Sequence, residues 1–277
     1  MNSLRTTTGY INAGGRGTRL AEVFSPVGEK GIAKAMLRVG EPSTTLVDHH
    51  IRRMGNQGYG SIVVAAGDQT SVYKYVHTHY ANYPEVLAVK QAGYNGSAGD
   101  LLRALAHRPE QFLSTIAIQN VDTILAVSDE RFVGQHRANA RKATICLTRN
   151  QGVPNEGAFY VSGTSAVLFS QETSEGVPTA ATEAGTVWRG SSTGAVVLDK
   201  EYLMGLDIED RGEPVSLYKD IIKGLVETDQ LQAYDNGFNY FQDLGTKLSW
   251  QTQVLTGAVQ PYLHYTDTSA EVIEAVS

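Results

Sequence analysis

The amino-acid sequence predicts an α/β fold, a mostly parallel sheet covered by helices on both faces, and three observations carry that expectation. The run Ser61-Ile62-Val63-Val64-Ala65-Ala66 is almost continuously apolar and stops at Gly67, as a strand buried on both faces does. Helical spacing marks the segments between such runs: Leu46, Ile51 and Met54 share one face, and so do Leu101, Leu102 and Leu105. Strand-like and helix-like segments then alternate as far as Thr148, which implies parallel βαβ units.

The elements follow in order. A first strand is expected at 9–12, with a loop running on through Arg19 to about Gly31. A helix at 44–57 meets Gly58 as its stop signal. Strand 61–66, helix 70–79 and strand 85–90 come next, then a loop at 92–97 and a helix at 98–106. A strand at 115–120 leads to Asp122. A helix at 129–140 and a strand at 143–148 complete the alternation. The middle of the chain changes character: 158–161 and 166–169, separated by Ser162-Gly163-Thr164-Ser165, have the pattern of a hairpin. Residues 171–192 are polar and turn-rich and are expected to loop over the sheet. A strand at 194–198 and a helix at 214–225, beginning near Ser216, follow. No strong periodicity is found beyond Thr252.

Composition narrows the function. With 277 residues, 42% of them hydrophobic, the chain can bury the core of a single domain spanning 1–277. Its one cysteine, Cys146, cannot close an internal disulfide, and a reducing, cytoplasmic setting is expected. Cys146 sits in the apolar run Thr144-Ile145-Cys146-Leu147, as a buried structural thiol rather than a nucleophile would. No apolar stretch reaches membrane-spanning length, and the N-terminus has no basic segment followed by an apolar one, so no membrane partner is expected. A formal net charge of −6 argues against nucleic acid as a partner. An anionic substrate would have to be met by local positive charge.

The loop Asn12-Ala13-Gly14-Gly15-Arg16-Gly17-Thr18-Arg19-Leu20 offers such charge. A glycine cluster after a short strand leaves backbone N–H groups uncovered, and glycine permits the positive φ angles that gather them around an anion. Thr18 adds a hydroxyl donor, and Arg19 a fixed fork for phosphate oxygens. Taken alone, the cluster fits a surface turn equally well. The P-loop pattern is missing. The dinucleotide fingerprint fails at Leu20, where a third glycine is required, and Asp48 lies too far on to serve as its ribose-binding acid.

The ordered motifs resemble those of the sugar-1-phosphate nucleotidylyltransferases, the nucleotide-sugar pyrophosphorylase family. Ala13-Gly14-Gly15-Arg16-Gly17-Thr18-Arg19-Leu20 is similar to its glycine-rich signature, and Ala33-Lys34-Ala35-Met36-Leu37 to its Pro-Lys-x-Met-Leu segment. Gly96-Ser97-Ala98-Gly99, Asn120-Val121-Asp122, Gly194-Ala195-Val196-Val197, Pro214-Val215-Ser216-Leu217 with Asp220, and Asp243-Leu244-Gly245-Thr246 resemble further family segments in the family's order. The resemblance covers about residues 9–250.

It implies a Rossmann-like three-layer sandwich with a mostly parallel central sheet and a small β-hairpin or loop insertion on the sugar side. The nucleotide-binding half would span about 9–150, the sugar-phosphate half about 151–250, and a C-terminal extension 251–277. The implied partners are a nucleoside triphosphate and a sugar 1-phosphate, with Mg²⁺ as cofactor; a homo-oligomer is left open. Arg19 and Lys34 would be catalytic. Ala13, Gly14, Gly15, Gly17, Thr18, Gln91 and Gly96 would bind the nucleotide. Asp122, Gly157, Glu172 and Gly194 would meet the sugar, and Asp122 with Asp243 the metal.

Several positions depart from the family pattern. Val121 replaces a glycine and Ala33 a proline. The segment 24–31 is inserted before Lys34, which makes Lys30 its rival. Gln171-Glu172-Thr173 stands where the family has Glu-Lys-Pro, leaving Arg149, Arg189 or Lys200 to supply the missing charge. These departures keep open an unusual sugar or cyclitol phosphate acceptor. They also keep open a regulatory protein that binds nucleotide sugars without turning them over.

Overall fold

The apolar runs do form strands. The structure, a computed structural model, describes residues 3–15, 33–39, 44–93, 95–149, 158–170, 188–206 and 213–245. Strands β1 (Thr7–Asn12), β2 (Ser61–Ala65), β3 (Val86–Val89) and β4 (Thr115–Asn120) lie in the order β3-β2-β1-β4, and each neighbouring pair is parallel. The sheet continues through β9 (Trp188–Asp199), β6 (Ala143–Thr148), β10 (Leu231–Asp235), β8 (Ser165–Ser170) and β7 (Ala158–Ser162). A two-stranded ribbon, β5 (Thr123–Leu125) with β11 (Phe241–Asp243), stands beside it.

The sheet is mixed rather than mostly parallel. β9 is antiparallel to β4, to β6 and to β7, and β8 is antiparallel to β10 and to β7. The expected hairpin is present as β7 and β8, but it extends the main sheet instead of standing apart from it. Residues 188–192, expected in a loop, are strand: Arg189 and Trp188 pair with β7, and Ser191 and Ser192 pair with β6. Hydrogen bonding to two neighbours outweighs the polar, turn-prone composition there. Residues 171–187 and 246–277 lie outside the described residues.

Helices cover both faces. On one, Ile11, Ile62 and Val64 pack against α1 (Leu46–Gln57), α2 (Thr70–His79) and α4 (Asp129–Arg137). On the other, Tyr10, Val63 and Ala65 pack against α3 (Gly96–His107), α5 (Lys200–Met204) and the segment Leu217–Ile222, which is π-helical and continues into α6 (Lys223–Glu227). Alternate residues of β1 and β2 thus serve opposite faces, which is the strand period at work. The helix expected at 214–225 begins where Ser216 caps it: the Ser216 hydroxyl accepts from Lys219 N, and Ser216 N donates to Asp220 Oδ2 at 2.6 Å.

The start of α1 is fixed by a capping box. Thr45 Oγ1 accepts from Asp48 N, and Thr45 N donates to Asp48 Oδ2. The hydroxyls of Tyr75 and Tyr80 also donate to Asp48, at 2.7 and 2.9 Å, and together these bonds hold its carboxyl below the usual range despite burial. A second polar anchor joins α1 to α4. Arg53 Nη1 donates to both oxygens of Asp129 at 2.9 Å, and the Tyr59 hydroxyl donates to Oδ2 at 2.9 Å. Both charges are sealed from solvent.

Breaking such a pair strands one charge in the interior, which costs about 3–5 kcal/mol. Arg53→Leu is therefore expected to lower the unfolding free energy by about that amount, read from the midpoint of urea unfolding at pH 7. A loss below 1 kcal/mol would mean that Asp129 finds another partner.

Candidate active site

The parallel strands all end at one edge of the sheet. β1 is followed by Ala13-Gly14-Gly15, β2 by Gly67, β3 by Gln91 and β4 by Val121-Asp122. In open α/β sheets, ligands bind at this edge. The segments are stitched to each other: Ala13 N donates to Ala65 O at 3.0 Å, Gln91 N to Gly67 O at 2.9 Å and Val121 N to Asn12 O at 3.3 Å.

Lys34 opens a short 3-10 turn, Lys34–Met36, anchored to the start of α1 by Leu46 N donating to Leu37 O. Its ammonium group forms an ion pair with Asp122 Oδ2, and both side chains are largely buried. Asp243 comes to the same place through the ribbon. It pairs opposite Thr123, and Leu244 N donates to Asp122 O at 2.7 Å. Asp243 Oδ1 accepts from Gly245 N. The sequence separation of 121 positions between the two aspartates is thus closed by β5 and β11. Two adjacent carboxylates suit an octahedral Mg²⁺ that keeps waters and shares phosphate oxygens with a substrate. Among the described residues, no group of three or more His, Cys, Asp and Glu side chains is arranged to hold a metal by itself.

Gly194 stands against this cluster. The register of β9 on β6 shifts between Ile145 and Leu147, so β9 bulges there. Gly194 has φ +76°, and a Cβ on it would approach Asn120 Nδ2 to 2.7 Å. A left-handed backbone and a close neighbour both require glycine. Thr193 Oγ1 pins the bulge to Cys146 O at 3.0 Å. Burial raises the Cys146 thiol to about 12, in keeping with a structural role.

Around Gly14 the arrangement differs from the expected anion nest. Neither Gly14 nor Gly15 has a left-handed backbone. What Gly14 provides is closeness: a Cβ there would meet Gly67 Cα and Asp100 Oδ2, each at 2.9 Å. Gln91 Nε2 donates to Asp100 O at 2.7 Å, and Asn95 Nδ2 donates to Asp100 Oδ1 at 2.7 Å and to Gln91 Oε1 at 3.4 Å. Sequence reasoning passed over Asp100; the signal was an acid inside the apolar stretch 98–105. Gly96, with φ +83°, opens α3 against Val215: a Cβ there would lie 2.3 Å from Val215 O, the carbonyl to which Ala98 N donates.

Gly17, Thr18, Arg19, Lys30, Gly157 and Glu172 lie outside the described residues. Of the three candidates for the missing charge, Lys200 donates to Pro109 O and Phe112 O at the opposite edge of the sheet, away from Asp122. Arg149 pairs with Asp235 at 2.6 Å and lies over Trp188. Arg189 has its Nε buried without a hydrogen-bond partner among the described residues.

His50, also passed over, supports the loop that carries Asp122. Its Nε2 lies 3.1 Å from Val121 O. A carbonyl can only accept, so Nε2 holds the proton and Nδ1 is bare; Nδ1 is buried with no partner among the described residues. Burial, with His49 and Arg53 nearby, holds the His50 pKa well below its ordinary value.

The model of the MobA-like NTP transferase domain family matches residues 9–227. Among solved structures, an inositol-1-phosphate CTP transferase from T. maritima superposes with a TM-score of 0.68 at 14% identity, covering 92% of this chain and 96% of that one. A protein assigned as a glucose-1-phosphate thymidylyltransferase from Bacillus anthracis gives a TM-score of 0.68 at 17% identity, covering 90% of this chain and 94% of that one. No curated protein matches the chain. At these identities the likeness to solved structures is one of fold.

Two outcomes are expected. Gly96→Ala forces a left-handed alanine into Val215, at a cost of about 1–3 kcal/mol. It should lower the melting temperature by roughly 2–4 °C for each kcal/mol; an unchanged melting curve would show that the Val215 segment gives way freely. Acidification is the second. Because the folded His50 resists protonation, the unfolded chain binds the extra proton first. The stability His50 contributes is therefore present above pH 6.5, its ordinary value, and is lost as pH falls below it. Buried His136, also shifted down, acts in the same direction. Unfolding free energy should fall between pH 7 and pH 5, and less steeply in His50→Gln, which removes one of the two rings.

Proposed function

Since the chain belongs to the MobA-like NTP transferase domain family, we propose that it transfers a nucleoside monophosphate from a nucleoside triphosphate to a sugar 1-phosphate or a sugar-like phosphate. The products are an NDP-sugar and pyrophosphate. The observation that carries this reading is the Lys34–Asp122 pair at the carboxyl edge of the sheet, beside Gly14, Asn120 and Asp243.

In this reaction a phosphate oxygen of the acceptor attacks the α-phosphorus. The new P–O bond forms as the bond to pyrophosphate breaks, with the attacking and leaving oxygens in line. Charge spreads over the oxygens of the transferred group, so the protein's work is alignment and neutralisation. Lys34 brings a fixed cation to the α-phosphate, and Asp122 orients it before the substrate arrives. Gly14 and Gly15 let the triphosphate approach the backbone, and Arg19, Thr18 and Gly17 continue that contact. Asp122 and Asp243 would hold Mg²⁺, which supplies further neutralisation of the phosphates. Gly194, Gly157 and Glu172 belong to the acceptor side.

Pyrophosphate release measured over a panel of triphosphates and sugar or cyclitol phosphates tests the reading. Turnover should require Mg²⁺, stop on chelation and return on readdition. Lys34→Gln and Asp122→Asn should each lower kcat by about 10²–10³-fold, the scale of one lost charge-stabilising group, while Lys30→Gln should retain activity. Tight binding of an NDP-sugar with no pyrophosphate released from any pair would replace the enzyme by a regulatory binder.

A further inference from the structure

The base-side wall of the site contains an acid that no role above has used. Asp100 is only 6% exposed, yet one of its oxygens is committed and the other is not. Oδ1 accepts from Asn95. Oδ2 lies where a Cβ on Gly14 would be 2.9 Å away and one on Gly67 3.1 Å away, and it accepts no hydrogen bond among the described residues. Burial pushes the Asp100 carboxyl up, with Asp68 adding to the rise, while Asn95 and the more distant Arg103 oppose it. A buried carboxylate oxygen without a donor is costly, so the site is built to receive one from outside.

Gln91 cannot supply the same contact as it stands. Its amide nitrogen is given to Asp100 O and its oxygen to Asn95. Asp100 Oδ2 is therefore the group left facing the gap between Gly14 and Gly67. On the nucleotidyl-transfer reading, on which this inference rests, Gly14 and Gln91 border the base. We infer that Asp100 selects the base: Oδ2 accepts from an exocyclic amino group, and the substrate is the triphosphate of an amino-bearing base, cytosine, adenine or guanine. Uracil and thymine would turn carbonyl lone pairs toward the carboxylate. A site built for one donor rejects the analogue that lacks it.

Calorimetric titration of the full chain with CTP, ATP, GTP, UTP and dTTP, without acceptor, tests this. At least one amino-bearing triphosphate should bind about tenfold or more tighter than UTP and dTTP, the discrimination expected of a single good base contact. Asp100→Asn keeps an oxygen for Asn95 and offers an N–H in place of Oδ2, so it should narrow or reverse the ranking. A melting curve of that variant reports whether it folds. If it does not, the parent protein decides: the preferred triphosphate should lose about tenfold in affinity when its base lacks the amino group. Preference for UTP or dTTP, equal binding of all five, or an unaltered ranking in Asp100→Asn would overturn the inference and leave nucleotidyl transfer standing. Failure of every triphosphate to bind would overturn both.

Discussion

The bulge in β9 at Gly194 is the constraint on which the site depends. β9 is the seam of the sheet: the parallel set β3-β2-β1-β4 lies on one side, and β6, β10, β8 and β7 on the other. A straight antiparallel strand would pass β4 without touching the loop beyond it. The bulge shifts the register on β6 and brings a left-handed glycine against Asn120, the residue two before Asp122. Thr193 ties the bulge to the backbone of Cys146, and Gly194 N donates to Ser192 Oγ, which also meets the Tyr218 hydroxyl at 2.7 Å. The position of Asp122 is thus set from the second half of the chain as much as from β4. Bulges beside functional sites commonly re-aim a neighbouring group in this way.

Charge at the site follows the same economy. The chain carries a net −6, and an anionic substrate meets a favourable field only where cations are placed. Lys34 is placed by an aspartate, which also means that the lysine does not stand as an uncompensated buried cation. A buried pair of this kind contributes little to net stability, because desolvation offsets attraction. What it provides is direction. The ammonium is held over the edge of the sheet, and the triphosphate would not have to order a flexible side chain on arrival.

How much of this was legible follows from the range of each signal. Helices α1 and α2 and strands β1, β2 and β4 were readable because their periodicity or unbroken apolarity is local and strong. The glycine loop and the Asn120-Val121-Asp122 and Asp243 motifs were readable as ordered fragments. The mixed sheet was not: nothing in Trp188–Asp199 itself says that it runs against its neighbours, since direction is a property of the connection. β10 was missed because Leu231–Asp235 is short and its pairing with β6 bridges 88 positions, from Ala143 to Leu231. The roles of His50 and Asp100 were hidden for another reason. A histidine in a helix or an acid in a first turn is usually solvated, and only packing against Val121 in one case and Gly14 in the other gives them work.

The nucleotide half and the remainder of the chain are also joined at Gly96. The carbonyl of Val215 accepts from Ala98 N, Val215 N donates to Asn95 O at 2.8 Å, and Leu217 N donates to Ser97 Oγ at 2.9 Å. The opening turn of α3 is therefore capped in part by a segment that arrives more than a hundred residues later. The same Asn95 that accepts from Val215 donates to Asp100 and Gln91. A shift of the Val215 segment moves Asn95, and with it both polar side chains that border Gly14. The π-helical turns at Leu217–Ile222 begin where this contact ends. They carry Leu217, Ile221 and Ile222 into the apolar layer on that face of the sheet, and their packing against the core holds the polar contact in place. Through Val215, the packing of the second half of the chain sets the geometry around Gly14, just as β9 sets the geometry around Asp122.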